Sequence, residues 1–309
     1  MMAEIRRAVE VLRAGGLVAF PTETVYGLGA DAASATAVAR LYRAKGRPGN
    51  HPVIIHFASS EKAFEWGREI PDAARKLAAR FWPGPLTLIV KRSAKALDFV
   101  TGGQDSVGLR VPSHPVAQEL LREFGGGVAA PSANRFGRVS ATTAAHVKEE
   151  MIVDLVLDGG ASEVGIESTI LDLSGEEPVL LRPGAISRLQ MEKILGKKIL
   201  QKDSTSPRHS GGLERHYAPK TPARLVPPHA LDAEIAKRAD TVAVLAFSRP
   251  DERVDYWIRM PKEPRAYAQR LYAALRELDG AQCGAILIET PPESAEWDAI
   301  RDRLSRATG

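Results

Sequence analysis

The sequence predicts an α/β protein: a large twisted mixed-sheet domain followed by a smaller Rossmann-like one. Three observations predict it. Short apolar runs of strand length recur through the first two-thirds of the chain, and segments with helical spacing lie between several of them. A basic stretch containing Ser, Gly and Pro then separates this region from a second compact set of strands and helices. At 309 residues, 44% of them hydrophobic, the chain can bury a full core and divide in two.

Taken in order, MMAEIRRAVEVLRAGG has the charge and apolar spacing of a short amphipathic helix. It lacks the uninterrupted apolar segment of a signal peptide, and no later stretch is long enough to span a bilayer, so a cytoplasmic protein without a membrane partner is expected. Strand-like runs follow at residues 18–20, 53–57, 86–90, 107–111, 128–130, 153–157 and 169–173. Helical patterns fall at 34–44, 61–65, 72–81 and 115–124. Pro83, Gly84 and Pro85 make a rigid turn before a strand, where proline removes no ladder bond. The large domain is expected over 1–199 and a linker over 200–224, with the small domain over 225–309. There, strands at 242–247 and 285–288 alternate with helices at 265–278 and 297–304. This βαβα unit has no Gly-x-Gly-x-x-Gly, so no dinucleotide is expected on it.

The most telling segment is FPTETVYGLGAD, residues 20–31. A buried strand runs straight into Thr22, Glu23, Thr24 and Tyr26, after which Gly27 and Gly29 open a helical pattern that begins near Ser34. A strand ending in donors and acceptors, with glycine admitting a ligand to the backbone, is how an α/β protein builds a pocket wall; a Thr-capped turn without a ligand is the alternative. The linker poses a similar choice. Its SGGLERHYAP sets Arg215, His216 and Tyr217 in a row, which suits either a tether or a strap folded over a pocket.

Several chemistries are excluded. The lone Cys283 supports neither a disulfide framework nor a cysteine zinc site. There is no P-loop and no His-Glu-x-x-His, and Ser132 lacks the Gly-x-Ser-x-Gly setting of a nucleophile. A net charge of +4 mildly favours an anionic partner such as a nucleotide or RNA, while 6% aromatic residues offer little for base stacking. What remains are cation and hydroxyl donors in Gly- and Pro-shaped loops. They are Lys45-Gly46-Arg47-Pro48, Pro131-Ser132-Ala133-Asn134 with Ser140 beyond, Arg110 in an apolar strand, Glu167-Ser168-Thr169, and Leu181-Arg182-Pro183-Gly184. Each alone fits a solvated loop or a salt bridge. Together they describe a wide, positively lined cleft with few general bases, suited to nucleotide chemistry run by positioning and charge neutralisation.

FPTETVYGLGADA, KGRP, FWPGPLTLIV, VGLRVPSHP, APSAN, GIESTILDL, LRPGAI and HYAP occur in one order, over most of residues 5–220. In these segments the chain resembles the threonylcarbamoyl-AMP synthases of the two-domain Sua5/YrdC/YwlC family. The resemblance implies a YrdC-like first domain with a double-stranded-RNA-binding-like α/β fold, and a Rossmann-like second one. It also implies conversion of L-threonine, bicarbonate and ATP, with Mg2+, to threonylcarbamoyl-AMP and pyrophosphate. A separate transferase complex would then use the product to modify adenosine 37 of tRNA, and the basic charge together with the resemblance adds weak RNA binding as an expectation. It places Thr24, His56, Arg110, Ser168 and the Ala130 backbone around threonine. Arg47, His51, Ser106, Ser132, Ser140, Arg182 and Tyr217 fall around ATP, with Lys45 and Arg47 catalytic and no side chain assigned to the metal. The family usually has Asn-Pro where this chain has His51-Pro52 after Asn50, and a Pro-Gly-Met-like sequence where it has Ser210-Gly211-Gly212-Leu213. Two other readings are an RNA-binding module without ATP consumption and a carbamoyl-phosphate-dependent maturation enzyme, which generally carries Cys-rich segments absent here.

Overall fold

The computed structural model describes residues 2–204, 206–213 and 215–309. The chain divides into two compact units. The first runs to Phe136 and adds Ala141–Glu163 and Glu167–Gly212; the second comprises Gly137–Ser140, Val164–Ile166 and Leu213–Gly309.

The first unit begins with α1 (Met2–Arg13), whose Ile5, Ala8, Val9 and Leu12 are buried, followed by β1 (Val18–Phe20) and β2 (Gly27–Asp31). Then come α2 (Ala35–Lys45), β3 (Ile54–His56), α3 (Ser60–Phe64), α4 (Asp72–Phe81) and β4 (Leu86–Lys91). The short α5 (Asp98–Thr101) leads to β5 (Ser106–Arg110), α6 (Pro115–Phe124) and β6 (Val128–Ala129). Last are α7 (Ala144–Glu150), β7 (Leu155–Val156), β8 (Thr169–Asp172), β9 (Val179–Arg182), α8 (Arg188–Leu195) and β10 (Leu200–Gln201). The strands form one mixed sheet in the order β10-β9-β8-β4-β5-β3-β6-β2-β1-β7. Its largest apolar core takes Ile55 from β3, Leu88 and Val90 from β4, and Val107 and Leu109 from β5 against Leu77 and Phe81 of α4.

Two sequence expectations change here. Gly27 and Gly29 do not open a helix; they belong to β2, antiparallel to β1 with Phe20 opposite Gly27 and Val18 opposite Gly29. A Cβ on Gly29 would sit 2.9 Å from both the Phe20 ring and Val128, so glycine is what lets β2 slot between β1 and β6. The stretch read as a linker is also partly regular. Leu200–Gln201 pairs in parallel with β9, and the chain through Gly212 belongs to the first unit.

The second unit holds β11 (Ala223–Val226), α9 (Leu231–Ala236), β12 (Val242–Ala246), β13 (Tyr256–Arg259), α10 (Pro264–Gly280), β14 (Ala285–Glu289) and α11 (Asp298–Thr308). Its four strands are all parallel in the order β11-β14-β12-β13, two more than the sequence pattern supplied. On α10, Leu271, Leu275 and Leu278 are fully buried, as their spacing predicts.

Candidate active site

Strand alternation builds the site. Register places Ile54 beside Gly108 and His56 beside Arg110, while Ile89 faces Gly108 and Lys91 faces Ser106. One face of these strands therefore carries Ile54, His56, Thr87, Ile89, Ser106, Gly108 and Arg110; the residues between them fill the large core. Around β4 and β8 the site face carries a small apolar cluster of Ile54, Ile89, Ile170 and Leu181.

Lys45 and Arg47 reach this region through a helix stop. Ser34 caps the start of α2, and Gly46 ends it in the left-handed conformation (φ 63°) with the Arg47 amide bonded back to the Tyr42 carbonyl at 2.9 Å. Lys45 is 3% exposed, and its Nζ donates to the carbonyls of Ser132 (2.5 Å) and Asn134. It thereby holds the PSAN loop, which is also pinned to the strand by a bridge between Gly27 and Ser132. Burial, then the neighbouring Arg47, lowers the Lys45 ammonium to about 7, against an opposing pull from Glu150. Arg47 lies 5.5 Å over the Phe136 ring, which also packs edge-on against His51 at 5.4 Å. Its Nη2 donates to the carbonyl of Pro52 (2.7 Å) and to Ser210 Oγ (3.4 Å).

Arg182 closes the other side. It donates from Nε to the Ser168 carbonyl (3.0 Å), from Nη2 to Ser168 Oγ (3.2 Å) and from Nη1 to the Ser210 carbonyl (2.9 Å). Ser168 Oγ also meets Thr87 Oγ1 at 2.7 Å. Ser210 thus accepts from two arginines. Arg208 is fastened to Gln104 (2.7 Å) and to the Gly102 carbonyl (2.8 Å), so residues 208–210 lie across the site face. Beneath them remains a cavity of about 20 Å³ lined by Ile54, Thr87, Ser106 and Gly108, room for roughly one water.

Arg110 has a charged partner within the first unit. Its partner is Glu23, at 2.7 Å from Nη2, both side chains being 5% exposed. His56 lies beside it, and burial first, then Arg110, pushes that imidazole down to about 3, so it is neutral. Thr24 shares a 2.8 Å hydrogen bond with Thr22, whose hydroxyl organises the loop. The Ala130 amide donates to the Ile54 carbonyl at 3.0 Å.

Thr24, Lys45, Arg47, His51, His56, Ser106, Arg110, Ala130, Ser132, Ser168 and Arg182 all belong to the first unit. Ser140 and Tyr217 belong to the second unit. There Arg276 donates to the carbonyls of Val139 (2.5 Å) and Ser140 (3.3 Å). Tyr217 has a left-handed backbone (φ 61°), stacks on Tyr272 at 5.7 Å and lies 5.4 Å from the Arg303 guanidinium. Sequence reasoning assigned no role to Glu23, Thr87 or Ser210. A carboxylate between two threonines after a buried strand was the available signal for Glu23; for Ser210 it was a place in the strap segment that departs from the family's pattern. Among the described residues, no group of three or more His, Cys, Asp or Glu side chains is placed to hold a metal ion.

The family model described as telomere recombination (Sua5, YciO, YrdC) matches residues 10–184, and the threonylcarbamoyl-AMP synthase C-terminal domain model matches 186–309. A Pyrococcus abyssi threonylcarbamoyl-AMP synthase is 38% identical, over 99% of this chain and 94% of the relative. A Bacillus subtilis threonylcarbamoyl-AMP synthase is 37% identical, over 99% and 93%. The crystal structure of P. abyssi Sua5 complexed with L-threonine superposes with a TM-score of 0.92, covering 98% of this chain and 94% of that one at 38% identity. Two domain models spanning nearly the whole length, relatives of matching extent and a common two-domain architecture lead to one conclusion: the chain belongs to the threonylcarbamoyl-AMP synthase family.

Proposed function

We propose that this chain makes threonylcarbamoyl-AMP and pyrophosphate from L-threonine, bicarbonate and ATP. Family membership supports the reaction, and so does a first unit that buries Arg47, Arg110 and Arg182, each under 10% exposed, joins Arg47 and Arg182 through Ser210, and holds Ser168 Oγ against Arg182. In this reading threonine sits among Thr24, His56, Arg110, Ser168 and the Ala130 backbone. Its amine attacks the bicarbonate carbon with loss of water, and the carbamate oxygen then attacks the α-phosphorus of ATP. The bond from that phosphorus to the bridging oxygen breaks, and pyrophosphate leaves. Arg47 and Arg182 neutralise the departing charge, which is catalysis by electrostatic positioning. Lys45 keeps the Ser132 loop in place and adds its own charge when protonated.

Ser106, Ser132 and His51 are proposed nucleotide contacts; Ser140 and Tyr217 are assigned to the nucleotide by resemblance. Residues 206–212, which belong to the first unit, act as a strap over its site, keeping water from a labile carbamate and adenylate. Magnesium enters as the counter-ion of ATP, and among the described residues no group of three or more His, Cys, Asp or Glu side chains is placed to hold it. The product passes to a tRNA-modifying transferase, with weak RNA binding at most, in the cytoplasm. Among the described residues, no helix is long and apolar enough to cross a membrane.

Incubation with ATP, threonine and labelled bicarbonate, each omitted in turn, tests the reading. Label should enter an adenylate only when all three are present. Arg47→Ala should lower the rate at least tenfold, about 1.4 kcal/mol of transition-state stabilisation. Salt-sensitive RNA binding without ATP turnover would replace the synthase reading with an RNA-binding module.

A further inference from the structure

Glu23 lies in the loop between β1 and β2 and is 4% exposed, where a carboxylate is costly unless fully engaged. Its Oε1 accepts from Arg110 Nη2 at 2.7 Å and its Oε2 from the Ser113 amide at 3.0 Å. The loop that carries Thr24 is therefore tied to the end of β5 through a charge pair. Apolar side chains could fasten the same two segments without desolvating two charges.

The pairing also leaves something over. Arg110 Nε is buried without a hydrogen-bond partner, and so is Nδ1 of His56, the residue beside Arg110 in register. Buried polar atoms without partners are uncommon, and two on adjacent strands point to a missing polar ligand.

We propose that Glu23 is a positioning residue for the amino-acid step: it orients the Arg110 guanidinium so that the Nε edge meets the threonine carboxylate. This deepens the functional reading above and rests on it. A guanidinium already desolvated and oriented loses less freedom on binding than one that must be recruited. The fixed negative charge also keeps Arg110 compensated while the pocket is empty.

The full-length Glu23→Gln and Glu23→Asp variants test this. Glutamine keeps the size and an acceptor oxygen but removes the charge; aspartate keeps the charge and withdraws it by one methylene. For Glu23→Gln the threonine KM should rise at least tenfold, with the ATP KM within twofold of wild type. Threonine binding measured by calorimetry without ATP should weaken in parallel. The aspartate variant should show a smaller rise, confined again to threonine.

An unchanged threonine KM in Glu23→Gln overturns the proposal. So does an equal rise in both KM values alongside a lowered Tm, the mark of a purely structural tie. Should the glutamine variant fail to fold, a folded aspartate variant with wild-type threonine KM overturns it equally. A wild-type protein that forms no adenylate sinks the functional reading and this inference with it. A wild type that does form it, beside Glu23→Gln with unaltered threonine KM, sinks the inference alone.

Discussion

Lys45 combines burial, two carbonyl acceptors and a neighbouring guanidinium, and its protonation decides what it offers a ligand. A neutral amine has two hydrogens, enough for the carbonyls of Ser132 and Asn134, whereas an ammonium has a third. With the group lowered to about 7, that third hydrogen and the charge are lost just above neutrality in the empty protein. ATP affinity should therefore fall as pH rises from about 7 to about 9, by up to roughly tenfold. Calorimetric titration across that range checks it. The Lys45→Met variant should bind ATP more weakly at neutral pH and show a flatter profile; a flat wild-type profile would count against a phosphate contact for Lys45.

At the scale of elements, two glycines do work that no other residue could do at the same cost. Gly46 ends α2 with a positive φ of 63°, in open space, so Gly46→Ala meets strain without a clash. It should lower stability by about 1 kcal/mol, and by turning Arg47 it should reduce activity more than that loss explains. Gly165, in the second unit, presents the opposite case. A Cβ there would lie 2.4 Å from Gln269 Cα and 2.5 Å from the Ala268 carbonyl oxygen, both backbone atoms of α10. Gly165→Ala should cost at least about 2 kcal/mol. Urea denaturation of the two variants should rank them in that order, and the reverse ranking would show that α10 yields more easily than its packing implies.

Over the whole molecule, two depressed cations act in one direction. His56 is held at about 3 against an ordinary 6.5, and Lys45 at about 7 against 10.5. Between each folded value and its unfolded one, the unfolded chain binds more protons. Their contribution to stability therefore rises with pH over about 3 to 6.5 and again over about 7 to 10.5, and it is smallest in acid. Stability in urea should climb between pH 4 and 6.5, with the His56 share on the order of a few kcal/mol. The His56→Gln variant should lose much of that climb. Parallel curves for the two proteins would show that carboxylates alone set the acid limb.

Much of this was legible in the chain because strand alternation and helix spacing are local properties. The runs at 86–90 and 107–111, the helices at 72–81 and 115–124, and the leucine face of α10 all follow from patterns a few residues long. The loops of the candidate site were also legible as loops, since Gly, Pro, Ser and Arg in KGRP, APSAN and LRPGA mark turns rich in donors. The strand β2 was not: GLGAD has no strand pattern, and only the fit of Gly29 against Phe20 and Val128 makes it one. Glu23 met Arg110 across 87 positions, and Ser210 met Arg47 across 163. Periodicity specifies which face a residue takes within its own element, whereas partners so far apart in the chain are chosen by sheet order and chain closure. Those are settled only when the whole fold has packed.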